Sequence, residues 1–284
     1  MSWVWLNGRL VEEEAARIGV HDRGFTLGDG LFETMRAYNG RAFRLRAHLD
    51  RLAAAAARIG IPLPTDLEGA IRGTLTANDL DDAAVRVTVS RGPGVGITPP
   101  ESVVPTVVVS AARYRPDEQW YEHGVRAVVA SGRLNEHAPA AGLKRLGYLD
   151  AIVALSEARA AGVEEVILLD TAGHLAEGAV SNLFLVLDGA LHTPPLSCGV
   201  LPGITRATVL ELARASGIET LERPLPPDAL ARASEAFLTN SLRELVPLVA
   251  VDGRPIGGGR PGPLTLHLLD RYRELVHVET AGST

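Results

Sequence analysis

A single lysine, Lys144, stands in a chain of 284 residues that carries 27 arginines. Arginine serves wherever only a positive charge is required, so a compositional bias accounts for the missing lysines. It does not account for the one that remains. A guanidinium stays protonated and does not condense with a carbonyl, whereas a lysine amine whose pKa is lowered by its surroundings can form an imine. Lys144 lies in AGLKRLGYLDAIVAL, flanked by Leu143 and Leu146 and followed by Tyr148 and Leu149. A run this apolar suggests partial burial, which favours the neutral amine. The plain alternative is a chance survivor on a solvated face, and composition alone does not choose between the two.

Three more segments hold residues with chemical capacity. In GHLAEGAVSNLF (173–184), Glu177 sits among small residues in a gap between two apolar strands. That gap is too long for a tight hairpin and suits close approach of backbone to a ligand, although most glutamates are simply solvated. In GVLPGITRATVLELA (199–213), Gly203, Ile204 and Thr205 open a helix. Its first backbone N–H groups form a ready anion site; an ordinary cap by Thr205 is the competing explanation. In FRLRAHLDRL (43–52), Arg51 falls off the leucine stripe and can point away from the core, as a plain surface arginine also would.

The elements that must position these residues are legible in outline. Asn7-Gly8 and Asn39-Gly40, each between apolar flanks, signal β-hairpins. Leu45, Leu49, Leu52, Ala56 and Ile59 form one helical stripe that Gly60 and Pro62 end, and a second helix covers about 66–77. Valine-rich strands follow at about 84–90 and 103–110. The polar stretch RYRPDEQWYE (113–122) interrupts this pattern. Strands in VRAVVA, EEVILLD, NLFLVLDG, EAFLTN and PLVAVDG then alternate with helices at about 147–161, 205–216 and 264–275. The expectation is a mixed α/β or α+β fold in two domains: a smaller N-terminal α/β domain (1–114), a link (115–123) and a larger C-terminal domain (124–284).

Composition narrows the partners. The net charge of −6 and the scattered arginines argue against nucleic acid. One cysteine, Cys198, excludes an internal disulfide framework. No secretory signal and no membrane-length apolar run are visible, so the expected location is the cytoplasm. GPGVG (92–96) resembles part of a dinucleotide loop, but Pro99 and Pro100 oppose the helix that such a loop must open. There is no phosphate loop ending in Gly-Lys-Ser/Thr, no HExxH or Cys/His zinc spacing, and no GxSxG elbow. No metal is expected.

Together and in this order, DRGFTLGDGLFET (22–34), HLDRL (48–52), LKRLGYL (143–149), EGAVSNLF (177–184), LPGITR (201–206) and TNSLRELVPL (239–248) resemble the class IV aminotransferases, the fold-type IV enzymes of pyridoxal 5′-phosphate (PLP). The resemblance covers nearly the whole chain and implies a barrel-like sheet in the larger domain. It makes Lys144 the lysine that joins the cofactor aldehyde. It assigns the phosphate to Arg51, Ile204, Thr205, Asn240 and Ser241, and the pyridine nitrogen to Glu177. Tyr148 would lie near the cofactor, and Asn182 would support its loop. Phe32 and Thr34 would line the substrate pocket, since strand alternation puts them on one face and turns Glu33 the other way.

The strand at 28–40 and LPGITR are most similar to D-amino-acid transaminases. The implied reaction moves an amino group between a D-amino acid, with R-amines as further donors, and a 2-oxo acid such as 2-oxoglutarate or pyruvate. Those enzymes typically hold the substrate carboxylate with an Arg-x-His pair, which SRGPGVGITPP lacks; Arg91 and Arg243 are the replacement candidates. Asn240 resembles 4-amino-4-deoxychorismate lyases, which release pyruvate and leave 4-aminobenzoate, and lyase is the alternative activity. Behind these stand a branched-chain aminotransferase and a non-catalytic relative. The family also implies a homodimer.

Overall fold

The computed structural model describes residues 2–281. The chain divides into two compact units. The first comprises the chain up to Arg115 together with Leu143–Gly147 and the stretch from Val276 onward; the second comprises Pro116–Gly142 and Tyr148–Leu275.

In the first unit, β1 (Trp3–Leu6) and β2 (Arg9–Glu12) form a hairpin at Asn7-Gly8. A short helix α1 (Arg23–Leu27) precedes β3 (Gly30–Tyr38) and β4 (Arg41–Ala42), which turn at Asn39-Gly40. Both turns hold the positive φ that a two-residue hairpin demands, 46° and 102° in the first and 50° and 71° in the second. Helices α2 (Leu45–Ile59) and α3 (Leu67–Ala77) lead to β5 (Ala83–Ser90) and β6 (Thr106–Arg113). The six strands lie in the order β2-β1-β6-β5-β3-β4. One sheet face, with Leu31, Met35, Val85, Val87, Val107 and Val109, joins Leu52 and Ala56 of α2 and Ile71 and Leu75 of α3 in one buried cluster.

The far edge of β3 pairs with β4 only at Ala37 and Tyr38. Near Gly30 that edge is filled by a distant segment instead. The Phe32 N–H donates to the Lys144 carbonyl at 2.9 Å, and the Leu146 N–H donates to the Gly30 carbonyl at 3.0 Å. Leu31 and Arg145 form the antiparallel bridge between these bonds, and Leu143 packs against the buried cluster. Open β edges recruit backbone partners, which is why five residues from far along the chain group with the first unit. Contiguous boundaries drawn from composition do not accommodate such a segment. The expected link at 115–123 also carries structure: it contains helix α4 (Gln119–His123), in which Tyr121 is buried.

The second unit continues with β7 (Val125–Leu134), α5 (Leu149–Ala160), β8 (Glu165–Asp170), β9 (Leu175–Gly178), β10 (Asn182–Leu187) and β11 (Ala190–Thr193). Then come α6 (Ile204–Ala215), β12 (Thr220–Glu222), α7 (Ala229–Arg232), β13 (Glu235–Asn240), β14 (Glu244–Val251), β15 (Arg254–Pro255) and α8 (Pro263–Thr280), of which the part from Val276 onward groups with the first unit. The sheet runs β12-β11-β10-β13-β14-β7-β8-β9, and β9 pairs back onto β10 through Glu177 and Asn182. Six strands, β10-β13-β14-β7-β8-β9, therefore close into a barrel, the sheet form expected for the larger domain. Every residue of β10 is buried, and Phe184 stacks on Phe237 of β13 with centroids 4.9 Å apart. Among the described residues no helix is long and apolar enough to cross a membrane.

Gly30 is where the edge pairing is most exposed to perturbation. A Cβ there would meet the Val89 carbonyl oxygen and come within 2.7 Å of Leu146 Cδ1. Gly73, inside α3, has no atom nearer than Leu10 Cδ1 at 4.0 Å. Urea unfolding should show Gly30→Ala destabilised by about 1–3 kcal/mol through overpacking and Gly73→Ala stabilised by roughly 0.5–1 kcal/mol through helix propensity. Equal effects at the two positions would contradict the edge pairing.

Candidate active site

In the first unit the clamp on β3 fixes the backbone of Lys144, and its side chain follows the outer face of the strand. Lys144 Nζ lies 4.4 Å from the centroid of the Phe32 ring. The same ring is contacted by the guanidinium of Arg86, with Cζ 3.8 Å from the centroid. Arg86 stands opposite Thr34 in the β3–β5 register, so Phe32, Thr34 and Arg86 share a sheet face that also receives the amine. Arg86 is exposed. Sequence reasoning missed it, although an arginine at an alternate position of AAVRVTVS is a detectable signal: a charge there must leave the core face.

The other face of β3 carries Glu33, 1% exposed, set between Leu31 and Met35. Its Oε1 accepts from Arg51 Nε at 2.7 Å and its Oε2 from Arg51 Nη2 at 2.7 Å. His48 Nδ1 lies 2.8 Å from the same Oε2. Alternation does turn Glu33 away from Phe32 and Thr34, as expected, but it turns it onto α2. Arg51 is accordingly no plain surface arginine: its side chain is 13% exposed and forked onto a carboxylate. Burial pushes the Glu33 carboxyl up, yet hydrogen bonds from His48 and Arg51 and the Arg51 charge prevail and hold it at about 2. Burial lowers His48, outweighing the pull of Glu33, so its ring favours the neutral form.

Arg91, one of the two candidates for a substrate carboxylate, lies in the protein interior. It is 7% exposed. Its Nε and Nη2 bond Asp29 at 2.8 and 3.1 Å, Nη2 also reaches the Ile59 carbonyl at 2.9 Å, and Nη1 reaches the Gly60 carbonyl at 3.3 Å. Asp29 also receives Arg23 Nε at 2.8 Å, and the rest of that guanidinium grips the carbonyls of Gly96, Ile97 and Thr98. Arg91 is thus part of the brace that holds the loop after β5.

In the second unit, Glu177 and Asn182 are the pair at which the barrel closes. Glu177 lies on strand β9 and not in an irregular gap, because closure recruits it into the sheet. Its Oε2 accepts from Asn182 Nδ2 and from the Leu201 N–H, each at 3.0 Å. Asn182 Nδ2 donates in addition to the Leu201 carbonyl at 2.9 Å. Gly203 permits this packing, since a Cβ there would collide with Asn182 Oδ1.

Gly203 is also the N-cap of α6, and no side chain caps the helix. Thr205 is buried and does not cap, which removes the ordinary explanation and leaves the N–H groups of the first turn as an anion site. Arg206 anchors the same turn through the Pro194 carbonyl at 3.0 Å and Glu222 at 2.7 Å.

Asn240 and Arg243, in and beside the β13–β14 turn, both have protein partners. Asn240 uses its side chain within the turn: Oδ1 accepts from the Leu242 and Arg243 N–H groups at 3.0 and 2.8 Å, and Nδ2 donates to the Val180 carbonyl at 3.2 Å. An Asx turn thus occupies the Asn240 side-chain oxygen. Arg243 lies over Trp120, 4.6 Å from its centroid, with Nη1 4.0 Å from Glu165 Oε2. Tyr148 is the half-buried N-cap residue of α5.

The first unit thus holds the lysine amine and the Glu33–Arg51 pair, and the second holds Glu177, oriented by two N–H donors, and a helix N-terminus without a side-chain cap. A family model for class IV amino-transferases matches residues 30–251. The chain belongs to the class IV aminotransferases. It is 38% identical over 277 residues to a putative branched-chain-amino-acid aminotransferase of Methanocaldococcus jannaschii, covering 96% of each chain. It is 31% identical to a D-alanine aminotransferase of Bacillus licheniformis, covering 98% of each. A solved 4-amino-4-deoxychorismate lyase of Pseudomonas aeruginosa matches with TM-score 0.84 and 36% identity, over 95% of this chain and 98% of that one. Branched-chain enzymes recur among the solved structures, including one from Escherichia coli at TM-score 0.93 and 33% identity, over 99% of this chain and 97% of that one. The class is PLP-dependent, and PLP is the cofactor.

The Glu33 carboxyl yields a prediction on acid stability. It titrates at about 2 in the fold against an ordinary 4.5. Its contribution, about 3 kcal/mol, is present above the unfolded value and is lost as pH falls from 4.5 toward 2. Glu33→Gln should lower stability at neutral pH and flatten the acid limb of a urea-unfolding profile over that window. An acid limb as steep as that of the parent would refute the ionised pair.

Proposed function

We propose that this aminotransferase moves the amino group of an aliphatic L-amino acid of the branched-chain type to a 2-oxo acid such as 2-oxoglutarate, with Arg86 holding a substrate carboxylate. The observation that carries the transamination reading is the shared contact of Lys144 and Arg86 with Phe32. A cation beside an amine is what an amino or oxo acid needs, and a bidentate guanidinium matches a carboxylate. Arg86 is preferred here to Arg91 and Arg243, whose guanidinium groups already have protein partners. The branched-chain donor is favoured by the 38% identical relative and by the absence of an Arg-x-His pair from SRGPGVGITPP.

In this reading the residues divide the work by position. Arg51, the N–H groups of Ile204 and Thr205, and the turn at Asn240 and Ser241 would bind the phosphate of PLP. Glu177 would face the pyridine nitrogen, where an opposite charge keeps that nitrogen protonated. Asn182 and the Leu201 N–H hold Glu177 in place, and Tyr148 would lie beside the ring. PLP, when bound, supplies the electron sink that makes the substrate α-proton acidic. Lys144 would hold the cofactor, and its amine would move the proton between the two carbons that exchange it. Phe32 and Thr34 would wall the substrate side.

D-amino acids are the second reading, favoured by the likeness of the strand at 28–40 and by the D-alanine relative. The lyase reading rests on Asn240 and on the solved lyase, and it is weakened by the commitment of the Asn240 amide to its turn. We also propose a cytoplasmic homodimer. Leu149, Ile152 and Val153 lie exposed on one face of α5, an apolar stripe that a second copy would cover. Light scattering should give twice the 30.1 kDa chain mass, and a monomer would refute the dimer.

With L-leucine and 2-oxoglutarate the holoenzyme should form glutamate, and Arg86→Ala should raise KM for the amino acid roughly tenfold or more without changing the melting temperature. Turnover of D-alanine but not L-leucine would move the donor to the D series. Pyruvate release from aminodeoxychorismate without any transamination would establish the lyase.

A further inference from the structure

Glu33 and His48 are each 1% exposed, and neither has a part in the chemistry above. A carboxylate between Leu31 and Met35 is costly to bury, and an apolar residue of similar size commonly stabilises such a site as well or better. The ion pair therefore needs a reason other than stability, and its geometry supplies one. Glu33 binds the Nε and Nη2 edge of Arg51 at both carboxylate oxygens. Two parallel bonds fix the guanidinium plane as one bond cannot, and the Nη1 end of the fork is aimed by that plane. His48 completes the arrangement. An ionised Glu33 only accepts hydrogen bonds, so the proton on the facing side of the imidazole must sit on Nδ1. A neutral ring tethers Oε2 without adding a second positive charge beside Arg51.

We propose that Glu33, tethered by His48, is the positioning residue that sets the Arg51 guanidinium for the phosphate of PLP. The inference rests on the assignment of Arg51 to that phosphate. It differs in sign from simple charge counting. Glu33 neutralises Arg51, so if net charge alone governed phosphate binding, removing Glu33 would tighten it. Positioning requires the opposite.

The test compares PLP with pyridoxal, which lacks the phosphate, on the full chain stripped of cofactor, reading the absorbance of the lysine-bound chromophore. Glu33→Gln should weaken PLP roughly tenfold or more, the effect of breaking hydrogen bonds to a charged partner, and leave pyridoxal unchanged. Arg51→Ala should do the same, and adding Glu33→Gln to it should cost nothing further, because both act through one contact. Tighter PLP binding in Glu33→Gln, equal loss for both ligands, or additive losses would each overturn the proposal. If Arg51→Ala binds PLP as the parent does, the phosphate assignment itself falls, and the positioning role with it. Should Glu33→Gln not fold, Glu33→Asp keeps the charge on a shorter arm, and the same ratio of PLP to pyridoxal binding decides.

Discussion

The pairing of residues 144–146 with the open edge of β3 is the interaction on which the first unit's chemistry depends. Two backbone hydrogen bonds, Phe32 N–H to Lys144 and Leu146 N–H to Gly30, hold the amine-bearing residue against a strand inside a buried sheet. Side-chain direction alternates along that strand with period two. Phe32 therefore presents its ring to Lys144 and Arg86, and Glu33 presents its carboxylate to Arg51 and His48. One strand register sets both the position of the Lys144 amine and that of the Arg51 guanidinium. A slip of one residue would exchange the two faces and lose both at once.

The second unit solves a similar problem by closing its barrel. Glu177 and Asn182 are Cα partners on the strands that complete the ring, and their side chains bond each other as well. The Leu201 N–H provides the other donor from the segment that leads into α6. Closure, carboxylate orientation and the approach to an uncapped helix N-terminus are thus one local structure. Gly203 serves two parts of it, admitting Asn182 and leaving the first turn of α6 without a side-chain cap.

Local signals in the sequence carried over well. The Asn-Gly turns, the stripe of α2 ended by Gly60, and α3 each depend on a few neighbouring residues, and their spacing is diagnostic. The edge segment 143–147 was not legible, because a three-residue bridge has no periodicity of its own and its partner lies more than a hundred residues away. Alternation gave the direction of Glu33 but not its destination, since the partner side chains stand on a helix whose packing is a tertiary fact. Arg91 and Arg243 looked available because they sit in polar turns. Their donors are consumed by Asp29 and main-chain carbonyls in one case and directed to Trp120 and Glu165 in the other. Arg86 was overlooked inside a valine-rich strand, where its charge was hidden by the surrounding pattern.

The same physical division explains why motifs fix the chemistry of this chain more firmly than its substrate. The groups assigned to the cofactor are each held by a second group within the framework: Lys144 by β3, Arg51 by Glu33, Glu177 by Asn182 and Leu201. Arg51 and Glu177 cannot change singly without stranding a partner. Arg86, proposed to meet a substrate, leans on the Phe32 ring and donates to Thr88 Oγ1 at 3.2 Å, contacts that bury no charge. Arg86 is exposed, and the loop after β5 is gripped through its carbonyls by Arg23, which leaves Val95 and Ile97 with 87% and 84% of their surface exposed. A loop held by its backbone can exchange side chains at little cost to stability. Branched-chain aminotransferase, D-alanine aminotransferase and lyase can therefore share one framework, and selectivity among them falls to side chains that the framework positions without enclosing.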